Sequence, residues 1–102
     1  MSTDLYSYER ITVRPSTDVE FYKWTAEFEE YVKEHFTVTG KRLSNTITYS
    51  EDMLTETRTS VWASFVDWIY FCEDITCFDT WNERDLYESD NNIVAYRNEL
   101  EV

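Results

Sequence analysis

Leu54-Thr-Glu-Thr-Arg-Thr-Ser-Val-Trp-Ala63 runs straight into Ser64-Phe-Val-Asp-Trp-Ile-Tyr-Phe-Cys-Glu-Asp-Ile-Thr-Cys-Phe78, and the junction of the two halves decides the fold. In the first half Thr55, Thr57, Thr59 and Val61 alternate with Leu54, Glu56, Arg58, Ser60 and Trp62, the period of two of a strand. From Ser64 the period changes. Phe65, Trp68, Ile69, Cys72 and Ile75 recur at helical spacing, with Ser64 placed to cap the first turn and Asp67 to complement its dipole. A strand therefore feeds directly into the most apolar helix of the chain.

Upstream of this junction, Tyr8 to Arg14 alternates, and its reading is a strand with Ile11 and Val13 on a buried face and Arg10, Thr12 and Arg14 on the other. Residues 1–7 are polar and expected to fray. Pro15 stops the strand, and Thr17 with Glu20 forms a capping-box pattern for a helix over Asp18 to His35. Val19, Trp24, Phe28, Tyr31 and Val32 make its apolar stripe, with Phe21 and Phe36 at the margins. Gly40 suits a left-handed turn into a second strand, Leu43 to Ser50, joined to the third through Glu51-Asp52 as an antiparallel hairpin.

Beyond the junction the helix breaks near Thr76, a further amphipathic segment carries Phe78, Trp81 and Leu86 to Asp90-Asn91-Asn92, and Ile93 to Glu101 alternates as a last strand. The order strand, helix, strand, strand, helix, strand matches the split βαβ motif. The expectation is one α+β domain of ferredoxin-like type spanning residues 1–102, a four-stranded antiparallel sheet with helices on one face. Its other face would be left for a second copy, so a homodimer is expected.

Composition narrows the functions. One glycine and one proline leave no glycine-rich loop to cradle phosphates. Aromatic residues make up 18% of the chain, so large rings must fill the core. With 21 acidic and 9 basic residues the formal net charge is −12, and the cations are scattered in sequence from Arg10 to Arg97, which argues against direct nucleic-acid binding and allows a basic protein partner. Without an apolar run of roughly 18 residues or a signal-like start, the chain reads as cytoplasmic, with no membrane association.

Individual reactive residues offer little. His35, the sole histidine, has no second histidine or cysteine pair beside it for zinc, so no metal site is expected. Cys72 and Cys77 read as reduced thiols, Cys72 as a small core residue rather than a nucleophile. No catalytic residue is assigned.

Arg58-Thr-Ser-Val-Trp-Ala-Ser-Phe-Val-Asp-Trp68 resembles the third strand and following helix start of the antibiotic-biosynthesis-monooxygenase-like proteins, dimeric ferredoxin-like domains in which a strand ending in Trp-x-Ser leads into a helix. In that family the haem-degrading members use an asparagine on the first strand, a tryptophan on the third and a histidine on the last helix. Trp62 resembles the tryptophan, but the other two positions fall near Glu9 and Asn82, so the resemblance implies no haem, and no cofactor is expected. Cofactor-free oxygenation would need a pocket, for which Asn45, Tyr49, Trp62 and Trp68 are the candidate lining, although the same residues serve equally as core.

The first functional expectation is a small acidic accessory or interaction protein, non-enzymatic, on a dimeric scaffold; its acidic, aromatic-rich, glycine-poor make-up is similar to that of small phage proteins. A second is an inhibitor that imitates nucleic acid toward a basic host protein, using Glu20, Glu27, Glu30 and Glu34 on the first helix. A third is a cofactor-independent monooxygenase-like or small-ligand-binding domain.

Overall fold

Alternating stretches and one long amphipathic run become, in a computed structural model that describes residues 5–100, the strands β1 (Tyr6–Val13), β2 (Arg42–Tyr49), β3 (Thr55–Trp62) and β4 (Val94–Leu100) and the helices α1 (Ala26–Val32), α2 (Phe65–Glu73) and α3 (Ile75–Asp90). A π-helical turn, Lys33–Thr37, continues α1. The strands form one antiparallel sheet in the order β2-β3-β1-β4, so the chain is α+β. Tyr6 and Ser7, expected in a frayed terminus, are part of β1. Glu101, expected to end the last strand, lies outside the described residues.

The junction behaves as its sequence dictates. Ser64 adopts an extended conformation and its Oγ accepts a hydrogen bond from the Asp67 amide at 3.1 Å, while also donating to the Asp67 carboxylate at 3.0 Å. The break between the last two helices falls at Asp74, two residues before the expected Thr76. Asp74 ends α2 and caps α3, its Oδ1 accepting from the amides of Thr76 at 2.8 Å and Cys77 at 3.1 Å. The β2–β3 hairpin closes through Asp52, whose carboxylate accepts from the Ser50 hydroxyl and the Leu54 amide, with Met53 at φ 63° in the left-handed region. Gly40, at φ 81°, makes the corresponding turn into β2.

The first helix departs from its expected span. It begins at Thr25, whose Oγ1 accepts from the Phe28 amide at 3.1 Å, and residues 14–24 are irregular. The cause is competition for carbonyls. Those of Val19 and Glu20, which a helix over 18–35 would pair with amides four residues on, instead accept from the Arg14 guanidinium at 2.9 Å and the Tyr87 hydroxyl at 2.6 Å. Arg14 also donates to the Met53 carbonyl and lies 4.5 Å from the Phe21 ring, so one side chain pins the segment to the hairpin. Glu20 therefore stands outside the helix, and the Thr17–Glu20 capping box does not form.

The helices cover one face of the sheet, and that face is not the one the alternation suggested. Tyr6, Tyr8, Arg10 and Thr12 of β1 point toward the helices, opposite Trp62, Ser60, Arg58 and Glu56 of β3. Ile11 and Val13 are half-buried on the far side. The aromatic core occupies the Trp62 end of the covered face, where Phe28, Val32, Phe36, Trp62, Phe71 and Cys77 are buried together. Trp62 is fully buried between Phe36 and Phe71, at ring distances of 6.0 and 4.8 Å. The far side presents a row of Thr48, Thr57, Ile11 and Tyr96, flanked by Thr46, Thr59, Val13 and Val94. Glu9 is its one charged side chain among the described residues, and it accepts from Asn98 Nδ2 at 3.3 Å.

Candidate functional site: a groove beside an arginine row

Because α1 is only seven residues long and the chain before it is irregular, the helix-side face of β2 is left uncovered. Asn45, Ile47 and Tyr49, which would meet a longer helix, are exposed. The result is a groove of about 980 Å³ with these three residues on its floor, Phe21 and Trp24 on one wall, and Ala26, Glu30 and Lys33 of the α1 segment on the other. Tyr49 closes one end, its ring 6.0 Å from that of Phe21.

Five cations line this groove, Arg14, Lys23, Lys33, Arg42 and Arg58, against four carboxylates, Glu20, Glu29, Glu30 and Glu56. A chain with more than two acids per base has here a surface on which bases lead. Of these five, Arg58 belongs also to a row that the sheet register sets. Arg58 lies directly opposite Arg10, and Arg10 directly opposite Arg97, so three arginines form one cross-strand row on the helix side. Cations scattered in sequence are thereby gathered in space.

Two buried carboxylates offset the row. Glu88 of α3 accepts two hydrogen bonds from Arg10, at 2.6 and 2.9 Å, in a bidentate pair, and Glu56 accepts from Arg58 Nε at 2.9 Å. Arg97 lies over Trp68, and Arg84, 4.9 Å from the Trp81 ring, has its pKa pushed down by burial and by Arg10 nearby. Arg42 differs from Arg10 and Arg58. Its Nε donates to Thr37 Oγ1 at 3.2 Å, but no carboxylate among the described residues pairs with it. Burial, with Arg58 adding to it against an opposing influence of Tyr8, pushes its pKa below the usual arginine value. The guanidinium carbons of Arg42 and Arg58 stand 6.0 and 5.8 Å from the Trp24 ring.

The residues singled out in the sequence divide between places. Asn45 and Tyr49 are on the groove. Trp62 is in the core with its Nε1 donating to Ser60 Oγ at 3.1 Å, and Trp68 lies among Tyr6, Tyr8 and Phe65 away from the groove. Glu20 and Glu30 are groove residues, while Glu27 and Glu34 are exposed elsewhere on the α1 segment, so the four carboxylates do not form one helical row. His35 is exposed at the helix end, its ring 4.2 Å from that of Tyr31 and tilted against it by 35°. Sequence reasoning missed Trp24, Arg42 and Arg58. The available signal was a long cationic side chain at the middle of each of three strands, Arg10, Arg58 and Arg97.

Comparison with known proteins gives no match: no family model, no curated protein and no solved structure matches the chain. No helix among the described residues is long and apolar enough to cross a membrane.

Proposed function

We propose that this protein is a small-ligand-binding domain, working without chemistry of its own, that holds its ligand in the groove between the Phe21–Trp24 segment and β2. The observation that carries the reading is the open groove itself, lined by aromatic rings and by a guanidinium with no carboxylate partner among the described residues. Apolar surface supplied by Ile47, Phe21 and Tyr49 would drive binding, and Asn45 and Arg42 would orient the ligand. The scaffold we propose is ferredoxin-like. In support, β1 and β2 flank β3, β4 lies outside β1, and both crossover connections pass on the same side of the sheet, which is the arrangement of the split βαβ fold. The likeness of the Trp62–Ser64 junction to the monooxygenase-like family concerns this scaffold.

We propose a homodimer through the uncovered sheet face. Charge supports it. On a chain of net charge −12 two copies repel one another over most of their surface, whereas on this face Glu9 is the one charged side chain among the described residues.

The binding reading is tested by screening small aromatic acids, amides and alcohols against the labelled protein by NMR. Hits are expected to shift the Trp24 indole and the amides of Asn45, Ile47 and Tyr49. Saturable binding that moves only residues outside the groove, or no binding from any class, would overturn it.

A further inference from the structure

Like charges set directly opposite each other on adjacent strands destabilise a sheet, and buried guanidiniums without carboxylate partners are costlier still. This protein has acids to spare, yet among the described residues Arg42 has no carboxylate partner and Arg58 is held only through its Nε. The terminal nitrogens of both are therefore open to a further acceptor, and both side chains lie near the same Trp24 ring, which lines the groove. Lys33 lines the same space from the α1 side. A planar fork presenting unpaired N–H donors is the group best matched to a carboxylate or phosphate, because two parallel charge-assisted hydrogen bonds can form at once.

Next to these donors the floor turns apolar, with Ile47 41% and Tyr49 49% exposed. Guanidinium and apolar surface thus adjoin in the groove, with Ile47 directly opposite Arg58. From this adjacency we infer that the ligand is an organic oxyanion on a flat apolar body, its acid group held between Arg42 and Arg58 and its body lying along Ile47 and Tyr49. The inference rests on the binding reading above and adds the class of ligand.

The test uses naphthoate, naphthyl phosphate, neutral naphthamide and inorganic phosphate as probes, titrated against the full chain by NMR and calorimetry. Naphthoate or naphthyl phosphate should bind at least tenfold more tightly than the amide, with shifts at Trp24 and at the arginine Nε resonances. The tighter of the two acids identifies carboxylate or phosphate as the natural head group. Arg42→Gln should weaken acid binding at least tenfold and so abolish the preference for acid over amide, and Arg42→Lys should restore part of it, since a point charge lacks the fork. The unfolding midpoint of each variant, together with an unchanged amide spectrum away from the groove, separates lost recognition from lost fold. Equal binding of acid and amide in the groove would overturn the oxyanion inference while the binding reading stood. Inorganic phosphate binding as tightly as naphthyl phosphate would overturn the apolar-body half. Failure of every probe to shift groove residues would remove the inference together with the reading beneath it.

Discussion

Arg10 and Arg58 face each other across β1 and β3 in direct register, two cations on the covered face of a sheet, and each is balanced by a buried glutamate. Glu88 comes from α3 and Glu56 from β3 itself. The polar half of the interior is thus an alternation of guanidinium and carboxylate, and its stability depends on every member. Replacing Glu88 by Gln leaves Arg10 beside Arg58 and Arg97 without its partner, and should cost about 3 kcal/mol in urea unfolding. The pair Arg10→Met with Glu88→Leu should lose much less. A double variant as damaged as the single one would show that shape, not charge balance, governs this site.

Asp74 holds three donors at once, the amides of Thr76 and Cys77 and the hydroxyl of Tyr31 at 2.9 Å, so it joins α1 to the start of α3. Asp74→Ala should destabilise the fold by about 1–2 kcal/mol, and Asp74→Asn by less, because the amide oxygen can still cap. Unfolding monitored by circular dichroism would measure both. Similar losses from the two substitutions would mean that charge at the helix start matters more than the cap geometry.

Alkaline pH should weaken the protein through two neutral acids. Burial, with Asp74 beside it, pushes the Cys77 thiol up to about 12 from its ordinary value near 9, and burial together with Glu99 raises the Tyr6 phenol to about 12. Each folded-state value lies above the unfolded one. Their contribution is fully present below about pH 9 and is lost as pH climbs toward 12, because the unfolded chain releases these protons first. Urea midpoints at pH 7, 9 and 10.5 should therefore decline only over the upper interval, and Cys77→Ala, although less stable throughout, should decline less steeply. A midpoint that holds steady through pH 10.5 would contradict the assignment.

Ile11 sits mid-row on the uncovered face, opposite Thr57 and Tyr96. Light scattering should give twice the chain mass at both low and high salt, and Ile11→Lys should give a folded monomer, since two lysines would meet near the dimer axis without partners. A wild-type monomer at both salts would refute association through this face.

The strand-to-helix junction was legible because periodicity and capping agree there: the change of period at Ser64, the Ser64 cap and Asp67 all point to one boundary. The α1 boundary was not. Thr17 and Glu20 make a good local signal, but the carbonyls of Val19 and Glu20 are claimed by Arg14 and Tyr87, and Tyr87 is distant in sequence. Alternation also misassigned the faces of β1. Ile11 and Val13 look like the buried set, yet Arg10 on the opposite parity is the residue that finds a partner under the helices. Half of the expected pocket, Asn45 and Tyr49, lies on the groove because the strand phase of β2 was read correctly. Arg58 escaped notice because a charged row across strands exists only in the register, which no single strand records, and Trp24 and Arg42 because they meet only where the irregular segment before α1 folds back over the sheet.

All six arginines lie on the helix side of the sheet or in the segment packed above it, while the chain as a whole carries −12. Seen by an approaching anion, the molecule is a barrier at range and an attractor at contact. Dissolved salt shortens the reach of the barrier to about 8 Å at physiological strength but screens the partly buried donors much less. Entry should therefore quicken with added salt while exit changes little, so that stopped-flow measurements would find affinity for an anionic probe rising with ionic strength, the reverse of a patch that binds anions on open surface. The protein would then take up its ligand best where the surrounding medium is most saline.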